Sequence, residues 1–137
     1  MKKILNFSLV LLATFILWNS SKTGSDSESI SMTLAYWIEF FNPFDNIQDF
    51  NHLIRKLAHF SEYCLYGLVL WSVYTLKTMP KSLWLLFALL PFMDETFQLF
   101  VPERSGSLVD VAIDYCGLFF AYFILKLGMF IYQKRNT

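Results

Sequence analysis

The chain has 137 residues, 55% hydrophobic and 19% aromatic, with 16% charged residues, no net charge and a mean hydropathy of +0.44. Soluble domains carry about 25% charged residues, so the deficit points to lipid as the solvent. Zero net charge excludes an electrostatic nucleic-acid role.

A membrane helix needs about 20 mostly apolar residues, because the hydrocarbon core is roughly 30 Å thick and each residue rises about 1.5 Å. Four segments meet or approach this, at 4–18, 57–76, 82–101 and 108–131. They leave no room for a separate soluble domain, so residues 1–137 are read as one all-α membrane domain with four spans. Lys2 and Lys3 before a short apolar run also fit a secretory signal, but no small-x-small cleavage site follows Trp18, and an uncleaved span is favoured.

Residues 19–31, NSSKTGSDSESIS, lack apolar periodicity and read as an exposed polar loop. Residues 34–54 mix acids with aromatics and break at Pro43, which suits the headgroup region. Trp37, Phe40, Phe41 and Phe44 are expected there as an interfacial aromatic belt between the first two spans. Asp45 is the expected N-cap of the helix that continues as the second span.

That helix opens with an odd stretch, RKLAHFSEYCLYG at 55–67. Arg55, His59, Glu62 and Tyr66 recur at i, i+4, i+7 and i+11, which places them on one stripe. In the third span Pro91 predicts a kink one turn before Asp94 and Glu95, with Gln98 following. The turn VPERSGS at 101–107 carries Arg104, and Ser107-x-x-Asp110 has the spacing of a capping box opening the fourth span. Asp114 lies one turn deeper, and Gly117-xxx-Ala121 permits close helix approach. Cys64 and Cys116 form no CxxC pair and read as small core residues.

Basic residues in short loops set orientation. Lys2 and Lys3, Lys77 and Lys81, and Lys134 and Arg135 fall on one side of a four-span chain, so both termini are expected in the cytoplasm. The acids of spans two to four then converge in the outer half of the membrane. Unpaired, each costs about 2.5–3.5 kcal/mol at mid-helix. They are kept only if paired, protonated or hydrated, as in a salt-bridge clamp with Arg55, Lys56, His59 and Arg104 or in an outward-facing polar pocket that holds a ligand. The pocket is preferred, because buried ion pairs are weak sources of net stability.

The pattern R-K-x-x-H-F-x-E-Y, followed by D-E-x-x-Q-x-F-V-P-x-R-x-x-S-x-x-D-V, resembles the VanZ-like family over roughly residues 17–125. Glu103 stands where glycine is usual, and Asp114 where asparagine is more usual. The resemblance implies a small multi-pass protein of the bacterial cytoplasmic membrane, in a family named for a member that raises resistance to teicoplanin, a glycopeptide with a lipid tail. Motif positions carried over are Arg55, Lys56, His59, Glu62, Tyr63, Asp94, Glu95, Gln98, Arg104 and Asp110.

The expected function is recognition of an amphiphile in the outer pocket: a membrane lipid, a lipid-linked cell-wall precursor or a lipoglycopeptide. Arg55, Lys56 and Arg104 are expected to meet phosphate or carboxylate. His59, Glu62, Asp94 and Glu95 line the deeper wall, and Gln98, Asp110 and Asp114 complete the ligand-binding set. The alternative is an integral-membrane acid/base enzyme acting on a lipid-linked envelope substrate, with His59, Glu62, Asp94 and Glu95 as the catalytic candidates. No cofactor is expected, and no metal is assigned because no high-specificity ligand spacing such as HExxH is present.

Overall fold

The computed structural model describes residues 2–135 and is helical throughout, with six α-helices and no strand among the described residues. They are α1 (Lys2–Ser20), α2 (Gly24–Trp37), α3 (Ile47–Thr75), α4 (Lys81–Ala88), α5 (Leu90–Gln98) and α6 (Leu108–Arg135), with a short 3-10 turn at Glu39–Phe41. All-helical architecture is as expected. Of the four expected spans, α1 and α6 are long and apolar enough to cross a membrane. α3 has the length, at 29 residues, but its first half carries Arg55, Lys56, His59 and Glu62.

The third expected span, 82–101, is not one continuous helix. It divides at Leu89, between α4 and α5. Pro91 has no N–H to offer the carbonyl of Phe87, and the Tyr66 hydroxyl donates to that oxygen instead, at 2.8 Å. The break is thus capped from α3.

α3 and α6 form the central pair. They approach closely where Gly117 lies against the Phe60 backbone carbonyl and Gly67 against Leu118 and Ala121, with no room for a Cβ at Gly117. The Gly117-xxx-Ala121 stripe therefore packs as its spacing predicts. Trp71 donates its indole N–H to the Leu118 carbonyl at 2.9 Å. α1 lies across this pair and buries Leu9, Ala13 and Ile16 against Tyr63, Tyr66, Leu70, Val73 and Leu118. Asn6 and Thr78 exchange two hydrogen bonds of 3.2 and 2.6 Å, which tie the start of α1 to the α3–α4 turn.

Three local expectations are corrected. The serine-rich stretch 19–31 is mostly helix: the Thr23 hydroxyl accepts from the Asp26 N–H at 3.2 Å and starts α2. Its Ser31 and Thr33 hydroxyls fold back onto backbone carbonyls one turn earlier, which hides their polarity without any apolar periodicity. The N-cap of α3 is Asn46, whose side chain accepts from Gln48 N–H at 2.9 Å, and Asp45 is exposed beside it. Cys116 is exposed on the outer face of α6 rather than in the core, while Cys64 is half-buried.

Trp37, Phe40, Phe41 and Phe44 are all exposed, and α2 packs on α3 through Ala35, Phe50 and Ile54. α6 presents Phe119, Phe123, Leu127 and Phe130 outward.

Candidate functional site

Polar side chains from four helices and one turn meet beside the first half of α3. Its stripe divides by depth. Arg55, His59 and Glu62 line a cavity of about 250 Å³ between α1, α2 and α3, while Tyr66 turns away to the α4–α5 break. Glu62 accepts a hydrogen bond from Asn19 Nδ2 at 3.0 Å. His59 Nδ1 lies 3.2 Å from Asp114 Oδ1. Tyr63, buried one residue after Glu62, donates to Asp94 Oδ2 at 3.0 Å.

The helix break turns α5 so that Asp94, Glu95 and Gln98 all face inward and are buried. Glu95 is held at both oxygens: Gln98 Nε2 donates to Oε1 at 3.2 Å, and the Ser107 backbone N–H to Oε2 at 2.9 Å. Gln98 also contacts Ser20 Oγ and accepts from Arg104 Nη1 at 2.9 Å. The 101–107 turn is thereby fastened to α5. It is fastened to α2 as well, since Gly24 N–H donates to the Pro102 carbonyl and Ser25 N–H to Glu103 Oε2. Glu103 has φ of 61°, in the left-handed region that favours glycine, which accounts for the glycine usual at this position in the sequence pattern.

The ten expected ligand-binding residues are not equivalent. Lys56 and Asp110 form an ion pair at 3.4 Å, with half the lysine side chain exposed at the rim. Asp110 also opens α6, behind Ser107, whose hydroxyl accepts from Val109 N–H at 3.2 Å. Arg55, His59 and Arg104 face both the first cavity and a second of about 210 Å³ that also contains Lys56, Gln98 and Asp110. Asp94, Glu95 and Asp114 are buried and line neither cavity, so the expected deeper wall of the pocket is formed by His59 and Glu62 without them.

A salt-bridge clamp does not account for these acids. Among the described residues, only Asp110 and Asp114 have a basic group within 4.0 Å, and the partner of Asp114 is a histidine. Asp94 Oδ1, Asp114 Oδ2 and Arg104 Nε are buried without any hydrogen-bond partner. Burial and the nearby Arg55 hold the Arg104 guanidinium below its usual range, a desolvation penalty that an anion entering the cavity would offset. His59, Glu95 and Asp114 each bring one ligand atom within 4.8 Å of the others, a geometry able to take a metal ion.

The reading from sequence missed Asn19 and Ser20, because the first segment looked like a purely hydrophobic anchor. A signal was there: both lie at the polar end of α1, on the level of Glu62 and Gln98.

A family model described as VanZ/LLP1 matches residues 5–131, nearly the whole chain. The chain belongs to the VanZ/LLP1 family. No curated protein and no solved structure matches it. The VanZ/LLP1 family is linked in general to teicoplanin resistance and is typically membrane-associated. In this VanZ/LLP1 chain the motif residues Arg55, Lys56, His59, Glu62, Gln98, Arg104 and Asp110 are among those lining the two cavities, while Tyr63, Asp94 and Glu95 are buried.

Proposed function

We propose that this VanZ/LLP1 protein binds an amphiphile with an anionic headgroup in the cavity between α1, α2 and α3, facing the outer leaflet of the bacterial cytoplasmic membrane. The candidates are a membrane lipid, a lipid-linked cell-wall precursor or a lipoglycopeptide. In this reading the chain crosses the bilayer four times with both termini in the cytoplasm. α3 forms the second span, and α4 with α5 forms the third, its 18 residues from Lys81 to Gln98 reaching about 27 Å.

The observation that carries the proposal is the amphipathic lining of the first cavity. Phe15, Ile30, Leu34 and Ile54 supply apolar surface, and Arg55 and Arg104 supply cations beside Glu62 and the α2 serines. An acyl chain matches the first and a phosphate or carboxylate the second. Arg104 lines this cavity and keeps a buried Nε with no hydrogen-bond partner among the described residues, so its guanidinium has donor capacity left for an anion. The exposed aromatics at 37–44 sit at the α2–α3 connection and would anchor it in the headgroup layer.

The test is susceptibility to teicoplanin and to vancomycin in a sensitive host, comparing the native chain with Arg104→Gln and Glu62→Gln at matched membrane abundance. Protection against teicoplanin alone, lost in Arg104→Gln, is the expected result. Equal protection by the variant, or none from the native chain, would remove the cavity from that role.

One observation favours a second reading, an acid/base enzyme acting on the same class of amphiphile. Asp94 accepts from Tyr63 through Oδ2 and lies close to the Ser20 hydroxyl, while its buried Oδ1 meets no hydrogen-bond partner of good geometry among the described residues, which leaves it one acceptor for a proton. Asp94→Asn that abolishes turnover of a lipid-linked substrate while its affinity persists would support the enzyme.

A further inference from the structure

The buried cluster behind His59 holds more carboxylate than the surrounding protein neutralises. Glu95 and Asp114 are 4% and 0% exposed, and His59 is the one basic group within 4.0 Å of either among the described residues. Arg104, the nearest guanidinium bonded into this network, spends its Nη1 on the neutral Gln98. Buried charge of one sign without a counter-charge is unfavourable in protein and more so in lipid. Either protonation or a bound cation must restore the balance.

We propose that His59, Glu95 and Asp114 bind a divalent first-row transition cation. One imidazole and two carboxylates form the donor set, which suits Zn2+ or Mn2+ and offers nothing to a soft, thiolate-seeking ion. The spacing is close to what coordination needs. Three donors each about 2.1 Å from one tetrahedral cation lie about 3.4 Å apart. Donor atoms that lie within 4.8 Å of one another therefore close by up to roughly 1.4 Å, through side-chain rotations of all three ligands.

An independent observation points to a ligand at this place. Asp114 is completely buried, its Oδ1 is 3.2 Å from His59, and its Oδ2 has no partner among the described residues. A buried carboxylate oxygen with no donor is costly unless a cation, a water or a proton occupies the position. The Glu95 carboxylate is held by Gln98 and by the Ser107 N–H, and outer contacts of this kind orient metal ligands. Each of its oxygens keeps a lone pair for the ion.

Through His59, which keeps 19% of its side chain exposed, the cluster borders both cavities. Three protein donors with an open position are the arrangement of a metal that meets a ligand, whereas structural ions are enclosed by four. The cation would thus face whatever anion enters beside Arg55 and Arg104.

The experiment uses the full untagged chain in detergent, stripped with chelator and exposed to Zn2+ alone, with no amphiphile, so that failure of the amphiphile proposal leaves the result untouched. The expected outcome is about one Zn2+ retained per chain after gel filtration. Asp114→Asn should bind roughly 100-fold more weakly, and the exposed Asp45→Asn should bind as the native chain does. Asp114→Asn inserts the residue more usual in the VanZ-like pattern, so it is the variant best suited to fold. His59→Gln and Glu95→Gln repeat the test. X-ray absorption at the zinc edge should show nitrogen and oxygen neighbours including one imidazole. No uptake by the native chain, undiminished uptake by Asp114→Asn, or a sulfur neighbour from Cys64 or Cys116 would overturn the proposal.

Discussion

Glu103 shows how one residue can serve two opposed demands. Its backbone lies in the left-handed region, which costs an L-residue about 1–2 kcal/mol. Its carboxylate accepts from Ser25 N–H at the start of α2, a bond that glycine could not make. Glu103→Ala keeps the strained backbone and loses the cap, so it should destabilise by about 1 kcal/mol. Glu103→Gly loses the same cap but sheds the strain, and it should melt above the alanine variant. Thermal unfolding of the three proteins in one detergent checks the order. An alanine variant as stable as the glycine variant would mean that the turn is not strained in solution.

At the scale of the element, the α4–α5 break decides where the acids point. Pro91 ends the helical ladder, and the free Phe87 carbonyl is satisfied by Tyr66 from α3. α5 can then present Asp94, Glu95 and Gln98 together to the interior. Tyr66→Phe should cost about 1–2 kcal/mol, because it leaves a half-buried carbonyl without its donor. In a Pro91→Ala background the alanine N–H can take up that carbonyl, and the same substitution should cost less than about 1 kcal/mol. Unfolding of the four proteins of this double-mutant cycle in mixed micelles gives the coupling. Additive effects would show that the tyrosine does not cap the break.

At the scale of the whole molecule, the proposed topology makes a direct claim about sides. Ser25 lies at the start of α2 and Ser82 at the start of α4, both exposed, and the basic residues put them on opposite faces of the membrane. In a chain with Cys64 and Cys116 replaced by alanine, Ser25→Cys should react with an impermeant maleimide added to intact cells. Ser82→Cys should react only after permeabilisation. Reaction of both, or the reverse pattern, would exclude four spans with cytoplasmic termini.

Composition and apolar segment length were enough to establish helices and to mark α1 and α6, because burying apolar residues in lipid depends on stretches of consecutive sequence. The i, i+4, i+7 spacing likewise placed Arg55, His59 and Glu62 on one face, since helical geometry is local. The pairings were not local. That Asn19 meets Glu62, that Tyr63 rather than His59 meets Asp94, and that His59 meets Asp114 depend on how α1, α5 and α6 cross α3. The helix at 24–37 was hidden for a related reason. Its serines and threonines satisfy themselves on their own backbone, and its packing on α3 rests on few apolar residues, so no periodic signal marks it. The residues of the site were legible in the chain, but which carboxylates stay without a counter-charge was decided by packing, because charge compensation is a property of neighbours in space.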